Sequence, residues 1–229
     1  MLYIVATPIG NLEDITLRAI RVLAEVDFIL AEDTRNTRKL LNHLEIKTPT
    51  ISFHEHSREN DYEKIFQLLR DGKKLALVTD AGTPAISDPG SKLVARIQEM
   101  IVSGELSDIK VISIPGPSSL TAAISIAGIK KTSFYFAGFS PHKKGRETFF
   151  KNLSEKIDDE TFFVFFESPH RIMKAIESLK KFSPDKNVVI VKEVSKIFEE
   201  VFAGKPAELA QIFQANPDKL RGEFVIMVY

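Results

Sequence analysis

Apolar positions along this chain follow two alternating rhythms. Short unbroken apolar runs at residues 2–6, 28–31, 50–53, 75–79 and 110–114 predict buried strands. Between them lie stretches with helical spacing. At 16–24, Leu17, Ile20, Leu23 and Ala24 share a face, and at 61–70, Ile65, Phe66, Leu68 and Leu69 do so. Further helices are predicted over 34–44 and 93–102. This strand–helix alternation predicts an α/β unit with a mainly parallel sheet. After a helix at 119–127 the rhythm changes. Phe-rich strands at 133–136 and 161–166, a helix at 171–180, strands at 187–192 and 199–202, a helix at 208–213 and a strand at 223–228 predict a mixed sheet. Two α/β domains follow, 1–114 and 118–229, joined through Pro115-Gly116-Pro117.

Composition narrows the function classes. The chain has 229 residues, 44% hydrophobic and 27% charged, so it can bury a sizeable core and is not a disordered or fibrous chain. Lys+Arg and Asp+Glu are both 31, so any nucleic-acid partner must be met by a local patch. Residues 1–117 carry 14 basic and 17 acidic side chains, and residues 118–229 carry 17 and 14, a net −3 against a net +3. The basic excess gathers at Lys130-Lys131 and His142-Lys143-Lys144-Gly145-Arg146. The absence of cysteine excludes disulfides, thiolate metal sites and a cysteine nucleophile. No apolar run approaches the ~20 residues of a membrane span. The N-terminus lacks the basic segment of a signal peptide, so a cytoplasmic location is expected.

Three loops that follow predicted strands are rich in small residues. Ala6-Thr7-Pro8-Ile9-Gly10-Asn11 follows the first strand. The segment 80–90 packs two Gly, two Pro and two Asp into eleven residues, longer than the ~2–6 of an ordinary connection. Pro115-Gly116-Pro117-Ser118-Ser119 opens a helix. Each taken alone also reads as a tight turn or a helix cap. Together, at the carboxyl ends of strands where α/β sheets bind ligands, they point to one pocket. No G-x-x-x-x-G-K-[ST] occurs, which argues against a P-loop NTPase. Polar groups also sit at strand ends: Glu32-Asp33-Thr34-Arg35, His54-Glu55-His56 and Glu167-Ser168-Pro169-His170-Arg171. His-x-His without further ligands is a weak metal signal, and no metal is expected. The five histidines show no Ser–His–Asp order, so a hydrolase triad is unsupported.

These loops, with Arg221-Gly222-Glu223, resemble the tetrapyrrole-methylase superfamily over nearly the whole chain, and within it the branch that acts on small-subunit ribosomal RNA. The resemblance implies two α/β domains with a ligand cleft between them, in a homodimer. It implies methylation of a ribose 2′-oxygen on a cytidine of 16S ribosomal RNA with S-adenosylmethionine as donor. Donor contacts carried over from the family fall on Pro8 and Gly10, on Asp80, Ala81, Gly82, Thr83 and Ile86, and on Ser118 and Ser119. From the second domain they fall on Phe166, Glu167, Gly222 and Glu223. Longer members carry a C-terminal helical extension, so any RNA grip it supplies is expected to be missing here.

A ribose hydroxyl is a poor nucleophile, so an adjacent base is expected. The candidates are Asp33, His54, Glu55 and His56, with Asp80 orienting the donor. Arg35, Arg38, Lys143, Lys144 and Arg146 are candidate phosphate contacts, with a merely solvated surface as the alternative. Two other functions compete: a methyltransferase of the same fold acting on a small tetrapyrrole or a protein side chain, and a donor-binding, RNA-associated protein without catalysis.

Overall fold

The computed structural model describes residues 1–229, which divide into two compact units, Met1–Ser118 and Ser119–Tyr229. The first unit alternates β1 (Leu2–Val5), α1 (Leu17–Glu25), β2 (Phe28–Ala31), α2 (Thr34–His43), β3 (Thr50–Ser52), α3 (Glu59–Arg70), β4 (Leu75–Val78), α4 (Gly90–Ser103) and β5 (Val111–Ile114). Its five strands pair in parallel in the order β3-β2-β4-β1-β5. Side-chain alternation divides each strand between two cores. Ile29, Ala76 and Val78 meet α1 and α2 through Val22, Leu23 and Leu41 on one face. Leu30, Leu75 and Leu77 meet α3 and α4 through Ile65, Leu69, Leu93 and Ile97 on the other. Burial on both faces explains why β4 reads as the unbroken apolar run Leu-Ala-Leu-Val.

The helix faces also define the topology. The path β1-β2-β3 runs toward one edge of the sheet under α1 and α2, and the path β3-β4-β5 returns across it under α3 and α4. The direction therefore reverses at the neighbouring strands β1 and β4. Their carboxyl ends are where such sheets open a ligand crevice.

The second unit contains α5 (Ser119–Ile126), β6 (Ser133–Phe139), α6 (Arg146–Leu153), β7 (Thr161–Glu167), α7 (Ile172–Phe182), β8 (Val188–Lys192), β9 (Glu200–Gly204), α8 (Pro206–Ala215) and β10 (Phe224–Val228). The sheet order is β6-β7-β10-β8-β9, with β6 and β7 parallel and the other pairs antiparallel, the mixed sheet expected from the sequence. Phe163, Phe165, Ile190 and Ile226 face α6, α7 and α8. Phe162, Val164, Val189 and Val225 face Ala123 of α5.

The apolar pattern does not predict α6. It is only eight residues long, and only Phe150 and Leu153 of its side chains are buried, too few to set a helical period. Gly145, at φ 80°, takes the left-handed turn that starts it. No helix is long and apolar enough to cross a membrane.

Candidate active site

All five strands of the first sheet are parallel, so every loop that leaves a carboxyl end lies on the same edge. The small-residue loops after β1, β4 and β5 and the polar loops after β2 and β3 are therefore brought to one edge. The three small-residue loops are also bonded to each other. Thr7 and Gly82 exchange both backbone hydrogen bonds, Thr7 N to Gly82 O at 2.9 Å and Gly82 N to Thr7 O at 3.0 Å. The Thr83 hydroxyl donates to Pro117 O at 3.0 Å, and the Thr7 hydroxyl to Thr79 O at 3.3 Å. Close approach demands glycine here. Gly82 sits at φ +83°, and a Cβ on it would lie 3.2 Å from Ile9 Cγ2. A Cβ on Gly116 would lie 3.0 Å from Ala6 Cβ.

The rest of the segment 80–90 holds its shape at some backbone cost. Ala85 and Ser87 are both left-handed, at φ 71° and 63°, a conformation that L residues rarely take. Ile86 between them is left 45% exposed. Asp88 accepts from Gly90 N at 2.7 Å, its role as a turn-closing cap. Ala81, Gly10 and Gly116 are exposed on the same edge, while Pro8, Thr83 and Ser118 are half-buried.

The polar candidates differ in what their atoms already do. Asp33 caps α2, accepting from Arg35 N at 2.8 Å, and its carboxylate also takes Arg35 Nε at 3.2 Å and Nη2 at 2.9 Å. The Arg35 side chain, and then its backbone N–H, pull the Asp33 pKa down to about 2. Asp33 is therefore a weaker proton acceptor than an ordinary carboxylate. Arg35 remains exposed but is neutralised by this carboxylate. Asp80 accepts from Asp33 N at 3.2 Å, and Thr79 Oγ1 donates to Glu32 at 2.8 Å, so the β2 and β4 loops are tied as well.

His54 Nδ1 accepts from His56 N at 3.2 Å, which assigns the neutral ring's proton to Nε2 and leaves no free basic nitrogen. His56 Nε2 faces Glu55 Oε1 at 3.4 Å, both exposed, and its Nδ1 stays open. No group of three or more His, Asp or Glu side chains gathers in a metal-like cluster.

The second unit also collects its motifs on one edge of its sheet. The loops that leave β6, β7 and β8 and the one that enters β10 meet there. Glu167, closing β7, is fully enclosed. Its Oε2 accepts from the Ser140 hydroxyl and, at 3.1 Å, from Arg146 Nη2. Its Oε1 accepts from Ser168 N at 2.9 Å and pairs with Arg171 Nε at 3.0 Å. Two expectations from the sequence change accordingly. Arg146 is turned inward, 13% exposed, and is not a surface phosphate contact. Glu167 has both oxygens committed and does not offer its carboxylate to a ligand.

Phe166 is half-buried, ringed by Phe136 and Phe139 at 4.9 and 5.3 Å. Gly222, at φ +100°, is pressed against Glu193, and Glu193 Oε1 accepts from Glu223 N at 2.8 Å. Lys196 bridges Glu193 and Glu223 at 2.9 and 3.0 Å. Arg38, Lys143 and Lys144 are exposed, and Ser119 is half-buried at the start of α5. The sequence motifs include Arg171 but give no role to it or to Ser140, Glu193 and Lys196. The legible signal is a lone glutamate ending the apolar run of β7, which requires buried cations that spacing alone cannot name.

Comparison with known proteins agrees with this arrangement. The family model of the tetrapyrrole (corrin/porphyrin) methylases matches residues 1–210. A ribosomal RNA small subunit methyltransferase I from Thermotoga maritima is 43% identical over 227 residues, covering 99% of this chain and 97% of that protein. The Bacillus subtilis protein of the same name is 39% identical over 228 residues, covering 100% of this chain and 74% of that protein. Among solved structures, the uroporphyrin-III-C-methyltransferase from Thermus thermophilus matches with a TM-score of 0.64 at 19% identity, covering 99% of this chain and 93% of that one. A cobalt precorrin-4 methyltransferase matches with a TM-score of 0.66 at 18% identity over the same shares. Those two likenesses concern the fold. With the family model spanning most of the chain and relatives this similar over its full length, the chain belongs to the tetrapyrrole methylase family.

Proposed function

We propose that this chain transfers the methyl group of S-adenosylmethionine to the ribose 2′-oxygen of a cytidine in 16S ribosomal RNA. One observation carries the reading: five strand-end loops gather on one sheet edge, stitched by the Thr7–Gly82 pair, in a chain 43% identical to a ribosomal RNA small subunit methyltransferase I. The residues on that edge fit such a donor. Gly82 and Gly116 occupy places where a Cβ would crowd the neighbouring loop, so backbone amides and carbonyls rather than long side chains line the edge. Pro8, Gly10, Ala81, Gly82, Thr83, Ile86 and Ser118 would hold it, with Asp80 orienting it. When bound, S-adenosylmethionine supplies a methyl on a sulfonium leaving group.

The chain's own task is then alignment and proton acceptance. With Asp33 spent on α2 and Arg35, and His54 Nδ1 occupied, His56 is our choice of base. Glu55 Oε1 lies 3.4 Å from its Nε2, and Nδ1 is the nitrogen proposed to take the hydroxyl proton. His56→Ala should lower kcat by about 10²-fold or more at neutral pH and leave donor affinity unchanged. An unchanged kcat would exclude it. Arg38, Lys143 and Lys144 are proposed to meet RNA phosphates. We also propose a two-fold homodimer in the cytoplasm. The apolar side chains of Ile197 and Phe198 stand in the open and suit a covered surface. Light scattering should report twice 25.7 kDa, and a monomer mass would overturn the dimer.

The main test supplies labelled donor with small ribosomal subunits from cells lacking the gene, and in parallel with a tetrapyrrole. Label on one 2′-O-methylcytidine of 16S RNA is the expected result. Label only on the tetrapyrrole, or on neither, overturns the reading.

A further inference from the structure

The Glu167 knot consumes five polar side chains, and none of the five has an assigned part in the proposed methyl transfer. We propose that it is a positioning device: it holds the loop 141–145 in one shape so that Lys143 and Lys144 present their charges to RNA phosphates at fixed spacing. The inference rests on the RNA methyltransferase reading above.

The knot ties both ends of that loop. At its start, Ser140 N donates to Phe166 O at 3.2 Å, and the Ser140 hydroxyl donates to Glu167. Arg171 Nη1 donates to Ser140 O at 2.9 Å, and Arg171 Nε also reaches Ser168 Oγ at 3.0 Å. At the loop's end, Arg146 reaches back across it, Nη1 donating to Ser140 Oγ at 2.7 Å and to Pro141 O at 3.0 Å. Between the ties, His142, Lys143, Lys144 and Gly145 are exposed. The loop's own backbone bond is a single turn, Arg146 N to Lys143 O at 3.3 Å. At the loop's end Gly145 O also accepts from Phe149 N at 2.9 Å, so α6 holds that end while the knot alone ties the side chains across the loop.

A buried ion triad can often be replaced by apolar side chains at no loss, so stability alone does not account for the knot. Its composition suits an anionic partner: two guanidiniums against one carboxylate leave a net positive charge under a loop that is itself cationic. Arginine suits the place better than lysine, because its fork spreads the bonds over two nitrogens, Nη1 to Ser140 and Pro141 and Nη2 to Glu167, which the single Nζ of lysine does not.

A double-mutant cycle tests this with the full-length protein and small ribosomal subunits. Arg146→Met should weaken RNA affinity on the order of tenfold and raise KM for the subunit while sparing kcat and donor affinity. In a Lys143→Gln/Lys144→Gln background the same substitution should cost nothing further, because the side chains it positions are gone. Arg146→Lys should fail to restore affinity. Ser140→Ala removes one bridging hydroxyl, should show the same non-additivity with a smaller loss, and serves if Arg146→Met does not fold. Additive losses, or full rescue by Arg146→Lys, would overturn the positioning role and leave Arg146 acting through charge or stability. A parent protein that neither binds nor methylates the subunit would instead overturn the functional reading on which the inference rests.

Discussion

At Gly82 two constraints meet in one residue. Its φ of +83° lies in the region where an L side chain costs about 1–2 kcal/mol, and the Cβ it lacks would press on Ile9 Cγ2 at 3.2 Å. The residue also supplies both partners of the bridge to Thr7. Gly82→Ala should therefore lower stability by roughly that strain and weaken donor binding together, measured by thermal unfolding and calorimetry. Unchanged affinity would separate this loop from the donor. Asp33 shows a second residue-scale effect. Its carboxyl is held at about 2 against an ordinary 3.8, chiefly by the Arg35 side chain. A group depressed on folding stabilises the fold above its unfolded pKa, and that contribution fades as pH falls toward the folded value. Carboxyl NMR should place its midpoint near 2, and Arg35→Gln should return it toward the ordinary range. A midpoint already at the ordinary value would deny the pairing.

Among elements, strands are the most legible from sequence. Runs such as Leu-Ala-Leu-Val in β4 are apolar because both faces are covered, and glycine and proline punctuate their ends. The site loops are legible for a related reason, since the 80–90 segment is too long and too rich in small residues for a simple connection. Side-chain commitments are not legible. Whether Arg146 faces water or Glu167 depends on a contact across 21 residues. The helix α6 escapes the pattern because its stabilisation is tertiary. Phe150 has no helical partner pattern but packs edge-on against Phe149 and Phe165, with ring centroids 5.2 and 5.8 Å apart. Fully buried, it anchors α6 to the sheet. Phe150→Ala should cost about 3–5 kcal/mol, read from denaturant unfolding. A drop of less than about 1 kcal/mol would mean that the site collapses without it.

Over the whole molecule, charge balance conceals a division of labour. The net charge is zero, yet residues 1–117 carry −3 and residues 118–229 carry +3. The ion pairs of the second unit absorb many of its cations: Arg146 and Arg171 serve Glu167, Lys196 serves Glu193 and Glu223, and Lys219 pairs with Glu200. Lys143 and Lys144 are exposed and join none of these pairs, which leaves both charges available to an external anion. A chain that met RNA through bulk charge would lose affinity evenly as any surface lysine is removed. One that meets it through a placed pair would not. Removing one lysine–phosphate pairing should flatten the slope of log affinity against log salt by about 0.7 for single-stranded RNA. Lys143→Gln/Lys144→Gln should therefore flatten it by about 1.4, whereas glutamine at the exposed and likewise basic Lys110 of the first unit should leave it unchanged. Titrating small-subunit RNA against each variant between low and moderate salt distinguishes the two cases. Equal slopes for both variants would assign RNA binding to surfaces other than this loop.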